Sequence, residues 1–195
     1  IKSMILFFDS LQKSINCKSR GYIMSRAVIG GGCFWCVEAA YKNMRGIKSA
    51  LPGYAGGHDE NPNYNSVCSG ITGHAEVVEI LFDEDVISYE TILDVFFTVH
   101  DPTQLNRQGN DIGTQYRSVI YYLDDEQKNL AINSKNKFQE YYSDEIVTEI
   151  TELTNYHEAE KYHHDYFNLN PGNGYCQMVV APKLAKVRAN LSHLY

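Results

Sequence analysis

The sequence predicts an α+β protein: a two-layer plait with a β-α-β-β-α-β core, long functional loops and a flexible C-terminal tail. Three observations carry that expectation. Segments with strand and helix character follow one another in that order, with an extra helix, strand and tail behind them. No stretch repeats and none reads as a linker. The 195 residues are enough for one sizeable core.

"RAVIGG" reads as a short buried strand that ends in glycines, and "CFWCVEAAYKNM" as the helix after it, with Gly46 as its stop signal. "IKSALPGYAGG" is a second strand running into a glycine-rich turn. Residues 57–73 hold Gly, Asn, Pro and Ser without apolar periodicity and read as a long loop. "HAEVVEILFD" alternates as a strand, placing Glu76, Val78, Ile80 and Phe82 on one face. In "SYETILDVFFTVH" the spacing of Ile92, Val95, Phe96 and Val99 predicts a helix, with Ser88 as its N-cap. "HDPTQLNRQGNDIGTQ" is a second long polar loop and "YRSVIYYL" a strand. Asp124 and Gln127 form a capping-box pattern that opens the helix "DDEQKNLAINSKNKFQEYY". "IVTEITEL" is a further strand, "HEAEKYHHDYF" a short helix, and "NLNPGNGYCQMVVAPKL" a tail.

A formal net charge of −7 with no basic stripe argues against a nucleic-acid partner. No apolar run approaches the roughly 20 residues of a membrane span. Met24 opens "MSRAVIGGG" as a natural beginning. Residues 1–23 are expected to be a poorly ordered extension and 24–195 a single catalytic domain. The five cysteines, Cys17, Cys33, Cys36, Cys68 and Cys176, form no regular framework. Without a signal segment they favour reactive or buried thiols and a cytoplasmic location.

Cys33 follows Gly30–Gly32 and opens a helix. The positive end of a helix stabilises a thiolate, so a nucleophile of lowered pKa is the functional reading, and a buried apolar thiol the plain one. Phe34 and Trp35 beside it serve either as core filling or as walls of an apolar pocket. Glu76 shares its strand face with apolar residues. Desolvated, it would hold a proton near neutral pH and act as an acid; turned to water at the strand end, it would not. Tyr64, Asp111 and Tyr116 lie in or beside the long loops, where rim positions are common. Cys68 reads as a loop thiol without a close partner. His157, His163 and His164 suggest a metal, but Lys161 stands where a metalloprotease helix needs its second histidine, and no four-ligand spacing exists. No metal and no cofactor are expected.

Taken together, "GGCFWCVE", "GYAGG", "NPNYNSVCSG", "TGHAEVVEI", "HDPTQLNRQGNDIGTQYRS" and "NPGNGYC" resemble the A-type peptide methionine sulfoxide reductases from about Ala27 to Leu184. The resemblance implies reduction of the S epimer of methionine sulfoxide, free or in proteins, as repair of oxidative damage. It implies Cys33 as the nucleophile that becomes a sulfenic acid, Phe34 and Trp35 as the walls for the substrate methyl group, and Glu76 as the acid on the sulfoxide oxygen. It implies Tyr64, Asp111 and Tyr116 as groups hydrogen-bonding around that oxygen, and Cys176 as the resolving thiol, with thioredoxin or another dithiol as external reductant. Two features depart from the pattern: Cys36 stands where many members have glycine, and no second cysteine follows Cys176. Cys36 is therefore an alternate resolving partner.

A thioredoxin-like oxidoreductase using Cys33-x-x-Cys36 is the competing reading. It leaves Glu76 and the long loops without a role. An interaction domain with an aromatic surface is a third reading, which unchanged turnover after alkylation of Cys33 would favour.

Overall fold

A computed structural model describes residues 24–195; the extension expected over residues 1–23 lies outside the described residues. The chain is a mixed α/β protein. Strand β1 spans Met24–Gly31 and helix α1 Phe34–Tyr41, followed by β2 (Ile47–Ala55) and α2 (Tyr64–Cys68). Then come β3 (Ala75–Asp83), α3 (Tyr89–Val99) and a small hairpin of β4 (Arg107–Gln108) with β5 (Asp111–Ile112). The rest is β6 (Ser118–Tyr122), α4 (Asp125–Gln139), β7 (Glu149–Glu152), β8 (Tyr156–Glu158), α5 (Tyr166–Leu169) and α6 (Ala181–Asn190).

The main sheet has six strands in the order β7-β6-β1-β3-β2-β8. Its pairs are antiparallel except β6 with β7, which makes it mixed. The alternation of β3 decides what lies on each face. Val78, Ile80 and Phe82 join Ala27, Ile29 and Ile120 in the large core under α1, α3 and α6, while Ala75 and Val77 face a smaller cluster with Val28, Val119 and Tyr121. Ser88 caps α3 by accepting from Thr91 N–H, and Asp124 caps α4 by accepting from Gln127 N–H. Each such cap stabilises by roughly 1 kcal/mol. The Gln127 side chain returns its bond to Leu123 N–H, one residue earlier than a capping box requires.

Several expectations are corrected. The C-terminal segment is not a flexible tail. A wide turn at Cys176–Val180 leads into α6, with Pro182 tolerated in its first turn, and Cys176, Val180, Leu184 and Val187 are buried. The burial of those apolar residues holds the segment down. "HEAEKYHHDYF" is not one helix. His157 pairs with Tyr54 as an edge strand, Lys161–His163 is a 3₁₀ turn, and Asp165 at φ 56° interrupts the chain before α5. The two polar loops also contain short elements of their own, α2 in the first and the β4–β5 hairpin in the second.

Candidate active site

The start of α1 is fixed by its surroundings. A Cβ on Gly30 would lie 2.7 Å from the Glu76 carbonyl oxygen, so glycine lets β1 and β3 approach there. Gly32 has φ +91°, and a Cβ there would meet the Gln108 side chain at 2.6 Å. The space that these glycines leave is filled by the chain itself, not held open for another molecule. Behind them, His100 Nδ1 donates to Phe96 O at 2.7 Å and its Nε2 accepts from Ser118 Oγ at 2.8 Å. Burial pushes this imidazole down to about 4, so it stays neutral and works as a brace.

A cavity of about 250 Å³ opens at this point, lined by Cys33, Phe34, Trp35, Tyr64, Glu76, Asp111, Tyr116, Asn173 and Tyr175. The fold thus brings together all of the sequence-predicted site residues except the two further cysteines. Cys33 is the N-cap residue of α1, 6% exposed, and its side chain makes no cap bond. The cap comes from β3: Phe34 N–H donates to Glu76 Oε2 at 3.0 Å. Glu76 is buried, 1% exposed, and burial pushes its pKa up to about 8, against the lowering effect of the Phe34 bond. A carboxyl in that condition carries a proton at neutral pH.

The thiol does not have the lowered pKa that its helix position suggested. Burial first, then the hydrogen bond with Cys36 and the neighbouring Glu76 charge, raise Cys33. The same Cys33 bond holds Cys36 below the ordinary thiol range, with Lys183 assisting. Loss of solvent outweighs the helix dipole here, since a dipole effect is typically 0.3–1 kcal/mol and removal of water around a charge costs more.

Two aromatic walls complete the cavity. Trp35 stacks on Tyr166 with ring centroids 3.8 Å apart and 5° between planes, and its Nε1–H donates to His163 Nδ1 at 3.2 Å. Phe34 packs on His163 at 4.9 Å and on Tyr54 at 6.0 Å. Tyr64 is set by its backbone N–H, which donates to Glu160 Oε1 at 2.9 Å. Burial raises the phenols of Tyr64 and Tyr116 well above their ordinary value, so both remain donors. Tyr175 O–H donates to Asp111 Oδ2 at 2.6 Å and lies beside the Cys33 sulfur.

Sequence reasoning passed over Tyr175, Asn173 and the brace from His163, which reach the cavity from far along the chain. Cys36 and Cys176 lie behind the cavity. Cys36 lies beside Cys33, whereas Cys176 is fully buried with Cys36 as a neighbour. Among the described residues no three His, Cys, Asp or Glu side chains converge as a metal site. Nor is any helix among them long and apolar enough to cross a membrane.

Chemically, the cavity offers a thiol, a protonated carboxyl and two phenolic donors between apolar walls. That set suits attack by sulfur on a polar, oxygen-bearing centre whose oxygen must be protonated. Residues 25–194 match the family model for peptide methionine sulfoxide reductase. Peptide methionine sulfoxide reductase MsrA of Natronomonas pharaonis is 56% identical over 165 residues, covering 83% of this chain and 92% of that protein. MsrA of Nautilia profundicola is 54% identical over 165 residues, covering 84% and 94%. Among solved structures, Mxr1 of Saccharomyces cerevisiae in reduced form superposes with a TM-score of 0.75 at 34% identity, covering 78% of this chain and 89% of that one.

Proposed function

The chain belongs to the A-type peptide methionine sulfoxide reductases and reduces methionine sulfoxide to methionine; on that premise we propose how its residues divide the work. Cys33 is the nucleophile and Glu76 the acid. Tyr64 and Tyr116 hold the sulfoxide oxygen. Phe34 and Trp35 receive the substrate methyl group, and Asp111, through Tyr175, orders the donors around Cys33. The observation that carries this reading is the single cavity that Cys33, Glu76, both phenols and both aromatic walls share.

The raised pKa values fit the reaction once it is written out. Both Cys33 and Glu76 hold protons before substrate binds. Cys33 sulfur attacks the sulfoxide sulfur as its proton leaves, with Cys36 sulfur adjacent to accept it. Glu76 gives its proton to the oxygen. The attack forms a bond between the Cys33 sulfur and the substrate sulfur. The protonated oxygen then passes to the Cys33 sulfur as that sulfur–sulfur bond and the substrate's sulfur–oxygen bond break, so methionine leaves and Cys33 is left as a sulfenic acid. The proton that left Cys33 restores Glu76, so no net proton is consumed. The enzyme loses the two electrons that the sulfoxide gains.

A second thiol then displaces water from the sulfenic acid. We assign that role to Cys176, with Cys36 as alternate. Cys176 has Cys36 as a neighbour and reaches Cys33 by movement of the turn before it or by exchange through Cys36. Gly172 and Gly174 have no neighbour within 4 Å of a built Cβ, which leaves this turn room to move. An external dithiol, thioredoxin in our reading, reduces the disulfide by exchange. Selectivity for the S epimer follows if the methyl group must lie on Phe34 and Trp35 while the oxygen lies on Glu76. We also read β6-β1-β3-β2, with α1 and α3 as crossovers, as the β-α-β-β-α-β plait. Turnover of resolved S and R methionine sulfoxide with a dithiol tests the reading: S alone should react, and equal use of both would refute the assigned pocket.

A further inference from the structure

The short helix α5 carries Tyr166, and the residue that starts it is held by α1. Asp165 has φ 56° and ψ 30°, a left-handed backbone that few non-glycine residues adopt. Its side chain makes no cap bond to α5. Its backbone N–H instead donates to Glu38 Oε1 at 2.7 Å, and its Oδ1 lies 3.2 Å from Lys42 Nζ. The Asp165 carbonyl accepts from Leu169 N–H at 3.0 Å, the first bond of α5. A helix of four residues does not hold its own shape in water, so α5 takes its place from Asp165. Tyr166 then stacks on Trp35, with ring centroids 3.8 Å apart. Glu38 is 1% exposed and follows Trp35 by three residues, which puts both on one side of α1. Two residues a turn apart on α1 therefore hold two consecutive residues of the distant segment, Trp35 by stacking on Tyr166 and Glu38 by bonding Asp165.

Glu38 does not line the cavity, so it can act on the substrate only through these rings. We propose that Glu38 is a positioning residue: by accepting the Asp165 N–H it places Tyr166, and through that ring it holds Trp35 against the substrate methyl group. Without the acceptor, a buried N–H is left unpaired at a backbone position that is already strained, and the turn relaxes away from Trp35. This inference rests on the reading of Trp35 as a wall of the methyl pocket.

The test is single-turnover reduction of methionine S-sulfoxide by Glu38 variants, with iodoacetamide labelling of Cys33 and tryptophan fluorescence measured on the same samples. Trp35 is the only tryptophan in the chain, so its emission reports this wall alone. Glu38→Met keeps the length and removes the acceptor. Its kcat/KM should fall about tenfold while Cys33 labelling is unchanged. Its Trp35 emission should shift to the red and become easier to quench with acrylamide. Glu38→Gln keeps an acceptor oxygen, with Asp165 still paired to Lys42, and should stay within about threefold of wild type with unshifted emission. In a Trp35→Ala background, Glu38→Met should cost nothing further. If Glu38→Met does not give folded protein, Glu38→Asp, which withdraws the carboxylate by one methylene, is read in the same way. The proposal is overturned by a methionine variant at wild-type rate or with unchanged Trp35 emission, by glutamine and methionine variants equally impaired, or by an undiminished methionine effect in the Trp35→Ala background. A Trp35→Ala protein that itself reacts at wild-type rate would refute the methyl wall, and the proposal with it.

Discussion

The backbone N–H of Phe34 donates to Glu76 Oε2 at 3.0 Å, so the carboxyl assigned as proton donor is also the cap of the helix that carries Cys33. One side chain thus links the acid to the position of the nucleophile. Its burial also ties stability to pH. Glu76 stands at about 8 in the fold against an ordinary value of 4.5, so between those values the native state binds more protons than the unfolded chain. Stability from this group is present below the lower value and is lost as pH rises through the upper one. Glu76→Gln has no such dependence. Its Tm relative to wild type should therefore rise from about pH 4 to about pH 9. A difference between the two proteins that does not change with pH would argue against a buried, protonated Glu76.

Cys33→Ser should abolish sulfoxide reduction and keep the fold. Cys33 makes no side-chain cap bond, and the helix start is held by Glu76 and the neighbouring glycines. Circular dichroism and methionine release check both halves. Turnover above a few percent of wild type in the serine protein would move the nucleophile elsewhere.

Trp35→Ala should weaken the use of sulfoxide more than it weakens thiol chemistry. The indole is held by Tyr166 on one face and by His163 at its N–H, so its loss opens the wall of the cavity without releasing Cys33. The expected cost is about 1–3 kcal/mol in kcat/KM. Iodoacetamide labelling of Cys33 is the control. If labelling falls as steeply as turnover, Trp35 supports the helix and not the substrate.

Much of this arrangement is legible in the sequence, for local reasons. Ser88 and Asp124 mark helix starts because a cap needs only the residue and the next turn. The alternation of Val78, Ile80 and Phe82 turns Glu76 inward because a strand has a period of two. What is not legible depends on partners distant in sequence. Tyr175 and Asn173 enter the cavity only because the burial of Val180, and of Leu184 and Val187 on α6, fixes the turn before that helix. His157 is in a strand because the edge of β2 accepts it. The raised thiol of Cys33 is not legible for the same reason: the helix dipole is written next to it, but the burial and the Glu76 charge that oppose it come from other elements.

Recycling should separate the two candidate partners of Cys33. Cys176→Ser should release about one methionine per enzyme in a single turnover and then fail to cycle with thioredoxin, with partial rescue by a small dithiol. Enzyme oxidised with one equivalent of sulfoxide should yield a Cys33–Cys176 peptide. A Cys33–Cys36 peptide alone, with normal cycling of Cys176→Ser, would transfer the role to Cys36, the direct neighbour of Cys33 in the fold.

The division of labour between Cys33 and Glu76 is tested most directly by the pH dependence of single-turnover methionine release, in wild type and in Glu76→Gln. The wild-type rate should decline as pH rises through about 8, where Glu76 loses its proton. The glutamine protein should be slower by a factor in the range of about 10²–10⁴ and should lack that decline. A glutamine protein with the wild-type rate, or with the same decline above about 8, would contradict Glu76 as the proton donor.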